Sequence, residues 1–155
     1  MFRWYGYVGG PGALGLLVLR LVVGGAFILH GWPKIQNATT WMNAMAGDQA
    51  PPPFLQAAAA VAEFGGGIAW ILGLLTPLAS ILIACVMATA IVTVHLKAGQ
   101  PFVDPMGGKS FELPAAYLAV ALCLLLVGPG RISLDALLFG RRESDELPLT
   151  PRGLP

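Results

Sequence analysis

Residues 13–33 read "ALGLLVLRLVVGGAFILHGWP" and form the first long apolar stretch of the chain. Within it, the only charged or titratable side chains belong to Arg20 and His30. At about 1.5 Å per residue, a helix over this stretch spans roughly 30 Å, the thickness of the hydrocarbon core of a bilayer. The stretch therefore predicts a transmembrane helix, and it raises the question of how a membrane accommodates an arginine and a histidine.

The composition of the whole chain also indicates a membrane protein. Of the 155 residues, 56% are hydrophobic and 11% are charged, whereas soluble domains carry about 25% charged residues. Three further apolar stretches of helical length cover residues 54–75, 77–97 and 112–127. Because Thr76 and Pro77 leave almost no loop, the second and third helices must be antiparallel neighbours. We predict an all-α membrane protein, an antiparallel bundle of four transmembrane helices.

A short helix is expected after the fourth span, where residues 128–142 read "GPGRISLDALLFGRR". Ser133 is a good N-cap residue, and leucines at positions 134, 137 and 138 recur at helical spacing. This pattern predicts an interfacial helix over residues 133–140 on the membrane surface. Residues 1–140 then form the membrane domain, and the acidic, proline-rich residues 141–155 a disordered cytoplasmic tail.

The positions of lysine and arginine predict the orientation of the chain. The side that holds both termini carries five such residues, Arg3, Arg131, Arg141, Arg142 and Arg152. The opposite side carries three, Lys34, Lys97 and Lys109. This bias favours cytoplasmic termini, with the loops of residues 34–53 and 98–111 facing outward. The net charge of +1 gives no reason to expect a nucleic-acid partner.

The polar residues of the first helix share one face. At about 100° per residue, Arg20, His30 and Lys34 fall within an arc of about 80°. Counted from the outer helix ends, Glu63 lies at a depth of about 13 Å and Arg20 at about 20 Å. A charge that faces lipid costs about 2.5–3.5 kcal/mol or more, so both side chains must point inward. We expect Arg20 and Glu63 to pair with each other inside the bundle.

Other titratable residues extend this inner pair towards the outer surface. Three of them lie within roughly 5 Å of that surface by the same count: His30, His95 and Glu112. Small residues such as Gly24 and Gly67 allow the helices to approach closely. The sequence therefore predicts a polar column that runs from an outer mouth to beyond the middle of the bilayer.

Four segments read "LRLVVGGAFILHGWPKI", "AEFGGGIAWILGLLTPLA", "VHLKAGQPF" and "GPGRISLDALL". Together, in this order and over nearly the whole chain, they resemble the DoxX family of small four-helix bacterial membrane proteins. The resemblance implies an inner-membrane bundle related to the membrane subunit of thiosulfate:quinone oxidoreductase, with protein partners in a membrane redox assembly. The positions that match the family pattern are Arg20, His30, Gly31, Lys34, Glu63, Gly67, His95, Glu112, Ser133 and Asp135.

Two classes of function remain open. In a quinone-linked redox subunit, the column supplies catalytic acids and bases at His30, Glu63, His95 and Glu112. The quinone or an anionic sulfur substrate would be held by Arg20, Lys34 and Trp70. In a non-catalytic adaptor subunit, the buried charges only fix helix packing. Structural roles are expected in either case for Gly31, Gly67, Ser133 and Asp135.

Quinone is the one cofactor that these patterns suggest. His30 and His95 do not share a helix at i+3 or i+4 spacing, and Lys34 would repel a cation, so no metal site is expected. The chain has no glycine-rich phosphate loop or nucleotide fingerprint. Cys85 and Cys123 form no C-x-x-C motif and are expected to behave as small apolar side chains.

Overall fold

The structure, a computed structural model, describes residues 7–140, and over that range it is helical with no strand. The α-helices are α1 (Gly10–Gln36), α2 (Asn43–Ala46), α3 (Pro53–Leu72), α4 (Thr76–Ala90), α5 (Glu112–Val127) and α6 (Leu134–Phe139). A 3₁₀ turn (Gly47–Gln49) follows α2, and a π-helical segment (Ile91–Leu96) extends α4. The predicted all-α fold is confirmed, while the predicted tail of residues 141–155 lies outside the described range.

Four of these helices form the bundle. The helices α1, α3 and α4 with its π-helical extension are long and apolar enough to cross a membrane, and α5 is a shorter apolar helix of 16 residues. α1 packs on α3, α3 on α4, and α4 on α5. Apolar side chains such as Val22 and Leu29 point away from the bundle, with 66% and 77% of their surface exposed. They provide the lipid contact that a spanning helix requires.

The first helix is longer than its sequence pattern predicts. It begins at Gly10 and continues through Pro33 to Gln36, for 27 residues. Because Pro33 lies within the last turn, the hydrogen bond that its ring nitrogen cannot donate weakens only the end of the helix. We call the end of the bundle that carries residues 37–52 and 97–111 the loop end, and the end that carries residues 7–9 and 128–140 the terminal end.

Glycines bring α1 and α3 into backbone contact. A Cβ atom at Gly67 would lie 2.7 Å from the carbonyl oxygen of Gly24, and one at Gly31 would lie 2.6 Å from the backbone nitrogen of Phe64. No side chain fits at these positions without moving a helix. Close packing of this kind holds membrane helices together, since burial of apolar surface from water is not available there.

Replacing Gly67 by alanine should therefore destabilise the bundle. The added methyl group meets backbone atoms of α1, and overpacking of this kind costs about 1–3 kcal/mol. Gly65 is the matched control, because a Cβ atom there has nothing within 4 Å. Thermal unfolding in detergent would compare Gly67→Ala with Gly65→Ala, and equal stabilities would contradict the close approach of α1 and α3.

Candidate functional site

A cavity of about 200 Å³ lies between α1, α3, α4 and α5 towards the loop end. Its lining residues are Phe27, His30, Lys34, Glu63, Met87, Ala90, Leu113, Pro114 and Tyr117. Phe27 lies nine residues before the end of α1, which corresponds to a depth of about 14 Å. The cavity therefore reaches well into the region that the hydrocarbon core of a bilayer would occupy.

An ion pair between α1 and α3 supplies the charges of the cavity. The Nζ atom of Lys34 lies 2.6 Å from both Oε1 and Oε2 of Glu63. The side chain of Glu63 is 4% exposed and that of Lys34 is 24% exposed. Nζ also lies 4.5 Å from the centre of the Trp41 ring, a cation–π contact. The predicted pair between Arg20 and Glu63 is wrong, because Lys34 occupies that place.

The loop beside this ion pair is fixed by one buried amide. The side chain of Gln56 accepts a hydrogen bond from the backbone nitrogen of Met42 and donates to Asn43 Oδ1 and to the carbonyl oxygen of Pro51. Trp41 Nε1 donates to the carbonyl oxygen of Gln56 at 3.0 Å. These bonds hold the Trp41 ring over Lys34. Sequence analysis missed Gln56, although a lone glutamine beside a run of alanines was a signal.

Arg20 belongs to the opposite end of the bundle. Arg20 is 1% exposed. Its guanidinium donates a hydrogen bond from Nη1 to the carbonyl oxygen of Pro129 at 3.0 Å and another from Nη2 to the carbonyl oxygen of Ile132 at 2.6 Å. The depth predicted for Arg20 was counted along the backbone of α1, whereas its long side chain reaches towards the terminal end. The irregular segment after α5 has carbonyl oxygens without helical partners, and two of these accept hydrogen bonds from Nη1 and Nη2. The Nε atom is buried and has no partner within residues 7–140.

Asp135 holds the turn between α3 and α4 at this terminal end. Its Oδ1 accepts from the backbone nitrogen of Leu75 at 2.7 Å and its Oδ2 from that of Thr76 at 2.9 Å. Leu75 has a φ of 49°, a left-handed conformation that is unfavourable for a leucine. The preceding cap residue, Ser133, accepts at Oγ from the backbone nitrogen of Ala136. We call Arg20, turn 73–76 and segment 128–135 the terminal cluster.

The N-terminal segment also contacts the terminal cluster. The hydroxyl group of Tyr7, which precedes α1, donates to the backbone carbonyl of Asp135 at 2.9 Å. Burial, and then the negative charge of Asp135, raise the pKa of the Tyr7 hydroxyl. Tyr7 therefore keeps its proton, and the hydrogen bond that it donates, to a higher pH than an exposed tyrosine.

The remaining predicted site residues lie apart from the cavity. Trp70 is 0% exposed in the core, where its Nε1 donates to Ser80 Oγ and its ring packs edge-on against Phe27. His95 lies in the π-helical segment and shares a hydrogen bond between its Nδ1 and Gln100 Oε1 at 2.6 Å. Glu112 is exposed in the first turn of α5.

The predicted column is therefore replaced by two separate polar clusters. Of the seven residues assigned to chemistry or ligand binding, the cavity brings together His30, Lys34 and Glu63. It adds Tyr117, which sequence analysis missed, although it is the one aromatic residue in the apolar run 113–127. Gly31 and Gly67 lie at the contact between α1 and α3.

Metal ligands and thiols are spread apart in the described range. Over residues 7–140, no three His, Cys, Asp or Glu side chains come together as a metal site would require. Cys85 and Cys123 are both free and exposed, on α4 and α5. Both thiols therefore lie on the exposed surfaces of apolar helices rather than in the core.

Comparisons with known proteins agree with this architecture. The model of the DoxX family matches residues 15–96. The chain is 32% identical over 131 residues to the Bacillus subtilis (strain 168) protein named "Putative oxidoreductase CatD", covering 84% of this chain and 92% of the relative. It is 34% identical to "Inner membrane protein YphA" and 29% identical to "Inner membrane protein YqjF" of Escherichia coli (strain K12). The alignment with YphA covers 77% of this chain and 87% of the relative. The alignment with YqjF covers 81% of this chain and 92% of the relative.

The comparison with solved structures finds no match. The family model and the similarity to inner membrane proteins over most of the chain nevertheless agree with the apolar helices of the bundle. The chain is a multi-pass inner membrane protein that belongs to the DoxX family.

Proposed function

We propose that this DoxX protein is the quinone-binding membrane subunit of a redox system and that the cavity near the loop end is its binding site. One observation carries the proposal: an apolar cavity at membrane depth is lined by an ion pair and by His30, an exposed histidine with no hydrogen-bond partner within residues 7–140. The name of the Bacillus subtilis relative, which describes an oxidoreductase, supports the same class of function.

The lining of the cavity suits the ring of a quinone. Such a ring needs apolar walls and a hydrogen-bonding group at a carbonyl oxygen. Phe27, Tyr117 and Met87 supply aromatic and thioether walls. Among residues 7–140, His30 has no hydrogen-bond partner, and its ring centre lies 6.3 Å from that of Tyr117. At about 200 Å³ the cavity is smaller than typical ligand pockets of about 300–1,000 Å³, so it fits one ring with its tail outside.

The chain's own side chains would hold the ring and handle protons. A bound quinone would supply the redox chemistry, taking up two electrons and two protons. His30 would hold one ring oxygen by a hydrogen bond from an imidazole nitrogen. Lys34 Nζ has three N–H donors, so it can hold a second oxygen while it remains bonded to Glu63. Its 24% exposure gives protons a path towards the water at the loop end.

The electrons require a partner, and we propose a redox subunit that docks on this bundle. We also propose that the loop end faces outward and both termini face the cytoplasm, as the distribution of lysine and arginine favours. In a background with Cys85→Ala and Cys123→Ala, a cysteine replacing exposed Lys109 should react with a membrane-impermeant maleimide added outside intact spheroplasts. Reaction only after lysis would reverse the orientation.

Quinone retention tests the site directly. We expect the wild-type protein, purified in mild detergent, to carry extractable quinone and His30→Phe to retain about five- to tenfold less, because a hydrogen bond of this kind contributes about 1–1.5 kcal/mol. His95→Phe changes the other histidine, and it should retain quinone if the cavity rather than a column is the site. Mass spectrometry would measure quinone and any co-purifying subunit. Equal retention by His30→Phe and wild type would contradict the proposed site.

A second candidate is a non-catalytic adaptor subunit. The terminal cluster favours it, because the buried charge of Arg20 bonds to backbone carbonyl groups and so serves packing. The same purification separates the two functions. A wild-type protein that brings a partner subunit but carries no quinone, and that binds none when quinone is added, would support the adaptor and exclude the quinone site.

A further inference from the structure

The seam between α1 and α5 is the loosest contact in the ring of four helices. The neighbouring pairs α1 with α3, α3 with α4, and α4 with α5 pack closely along their backbones, whereas α1 and α5 make few close backbone approaches. Tyr117 of α5 bridges them, with its ring centre 4.9 Å from that of Phe27 and 6.3 Å from that of His30. Large side chains therefore keep α1 and α5 apart, whereas glycines bring α1 and α3 into close contact.

The cavity opens to the outside of the bundle at this seam. Two lining residues on these helices are exposed, His30 on α1 and Leu113 on α5, the latter at 52%. On the side of α3 and α4, the lining residues Glu63 and Met87 are buried, at 3% and 8% exposure. The α3 and α4 sides of the cavity are thus mainly closed, with Ala90 of α4 half-buried, whereas the α1 and α5 sides carry exposed residues.

The depth of the opening places it against lipid. Leu113 lies one residue after the start of α5, at the loop end of the opening. The opening extends from there to His30, six residues before the end of α1 at a depth of about 9 Å, and to Tyr117, five residues after the start of α5 at a depth of about 7.5 Å. Both depths fall within the span of an apolar helix. A ligand that passes between these residues comes from the bilayer rather than from water.

The charge balance of the cavity selects the kind of ligand. Lys34 carries the one positive charge in the lining, and Glu63 neutralises it at 2.6 Å. Arg20, the other cation of α1 inside the bundle, lies fourteen residues from Lys34, about 21 Å along the helix, and bonds to the terminal cluster. An anion would gain little attraction here and would lose its hydration.

We propose that the α1–α5 seam is a lateral entrance through which an uncharged, membrane-dissolved ring compound with an apolar tail reaches the cavity, its tail remaining between α1 and α5 in the lipid. The inference rests on the proposed quinone function and specifies the route and the charge of the ligand. It excludes a water-soluble sulfur oxyanion as the occupant of this cavity. Leu113 and Tyr117 form the α5 side of the entrance, and His30 forms the α1 side.

Two photoreactive quinones test the route in vesicles that contain the full-length protein. An analogue with a diazirine on the ring should label cavity residues, and an analogue with the diazirine on the tail should label α1 and α5. An adduct is assigned to the binding site only where an excess of unmodified quinone prevents its formation. Tail adducts on residues 37–52, on residues 97–111 or on α3 would overturn the lateral entrance. Absence of any competed ring adduct would overturn the quinone function itself, so the two failures are distinguishable.

Matched tryptophan substitutions add a second measurement. Leu113→Trp narrows the entrance and should reduce competed labelling severalfold, whereas Leu122→Trp, at a 44% exposed site elsewhere on α5, should leave it unchanged. Leu113→Ala should instead speed labelling, which keeps the test decisive if the tryptophan variant folds poorly. Thiosulfate should not compete. Equal labelling in all variants, or competition by thiosulfate at the concentration of quinone, would overturn the proposal.

Discussion

Replacing Arg20 by methionine should lower the unfolding temperature of the purified protein by about 6–24 °C. The substitution leaves the buried carbonyl group of Pro129 and the partly buried carbonyl group of Ile132 without their donor. Hydrogen bonds to a charged group contribute about 1.5–3 kcal/mol each, so the loss is about 3–6 kcal/mol. For a chain of this size, each 1 kcal/mol shifts the unfolding temperature by about 2–4 °C. Thermal unfolding in detergent, followed by loss of the monodisperse peak in size-exclusion chromatography, measures the change.

Arg131→Met is the control for this experiment. Arg131 lies in the same segment, but its side chain is exposed and its backbone nitrogen, which the substitution retains, makes the bond to the carbonyl oxygen of Val8. We expect a change within about 0.5 kcal/mol. If Arg20→Met kept full stability and lost only bound ligand, Arg20 would be a ligand-binding residue after all, and the structural role of the terminal cluster would be wrong.

Separate removal of the two members of the cavity ion pair should have unequal effects. Lys34→Met leaves the carboxylate of Glu63, 4% exposed, without a partner, and breaking a buried pair in this way costs about 3–5 kcal/mol. Glu63→Gln leaves a lysine that is 24% exposed and stays against the Trp41 ring, so we expect a smaller loss of about 1–2 kcal/mol. The double variant should be more stable than Lys34→Met alone.

Unfolding of the wild type, both single variants and the double variant forms a double-mutant cycle for this pair. A coupling energy near zero would mean that the two side chains act independently, and the contact of 2.6 Å would then contribute nothing to stability. Quinone retention measured on the same four proteins separates stability from binding. A double variant that is stable and still retains quinone would restrict ligand binding to His30 and the aromatic walls.

The helices were predictable because each is a continuous apolar run of membrane-spanning length. The runs at 13–33, 54–75, 77–97 and 112–127 each contain most of one helix, and errors fall at the ends. Pro33 is one such error, since a proline in the last turn of a helix removes a single hydrogen bond. Helix ends depend on capping and on the neighbouring segment, which periodicity does not record.

The partners of the buried charges were not predictable from depth alone. Arg20 and Glu63 both must turn inward, but a count along the backbone ignores the length and direction of an arginine side chain. The count also treats segment 128–133 only as the end of a helix, although two of its carbonyl groups accept hydrogen bonds from the guanidinium of Arg20. Lys34 was assigned to the mouth, and its contact with Glu63 follows from α1 continuing beyond Pro33.

The route to the cavity was not predictable from the sequence, because it depends on contacts between distant parts of the chain. Tyr117 contacts residues about ninety positions earlier in sequence, and no local pattern pairs it with Phe27. Trp70 shares a face of α3 with Glu63, which made it a candidate, but it lies two turns deeper and bonds to Ser80. Burial and contact distance, rather than position on a helical wheel, decide which of these side chains meets a ligand.

The turn at Leu75 has a consequence for the order in which the protein is made. Its left-handed backbone and the two amide groups of Leu75 and Thr76 depend on the carboxylate of Asp135, sixty residues later in the chain. When the α3–α4 hairpin leaves the ribosome, that carboxylate has not been synthesised. The hairpin therefore enters the membrane with its turn unsecured, and a segment that emerges later locks helices that were inserted before it.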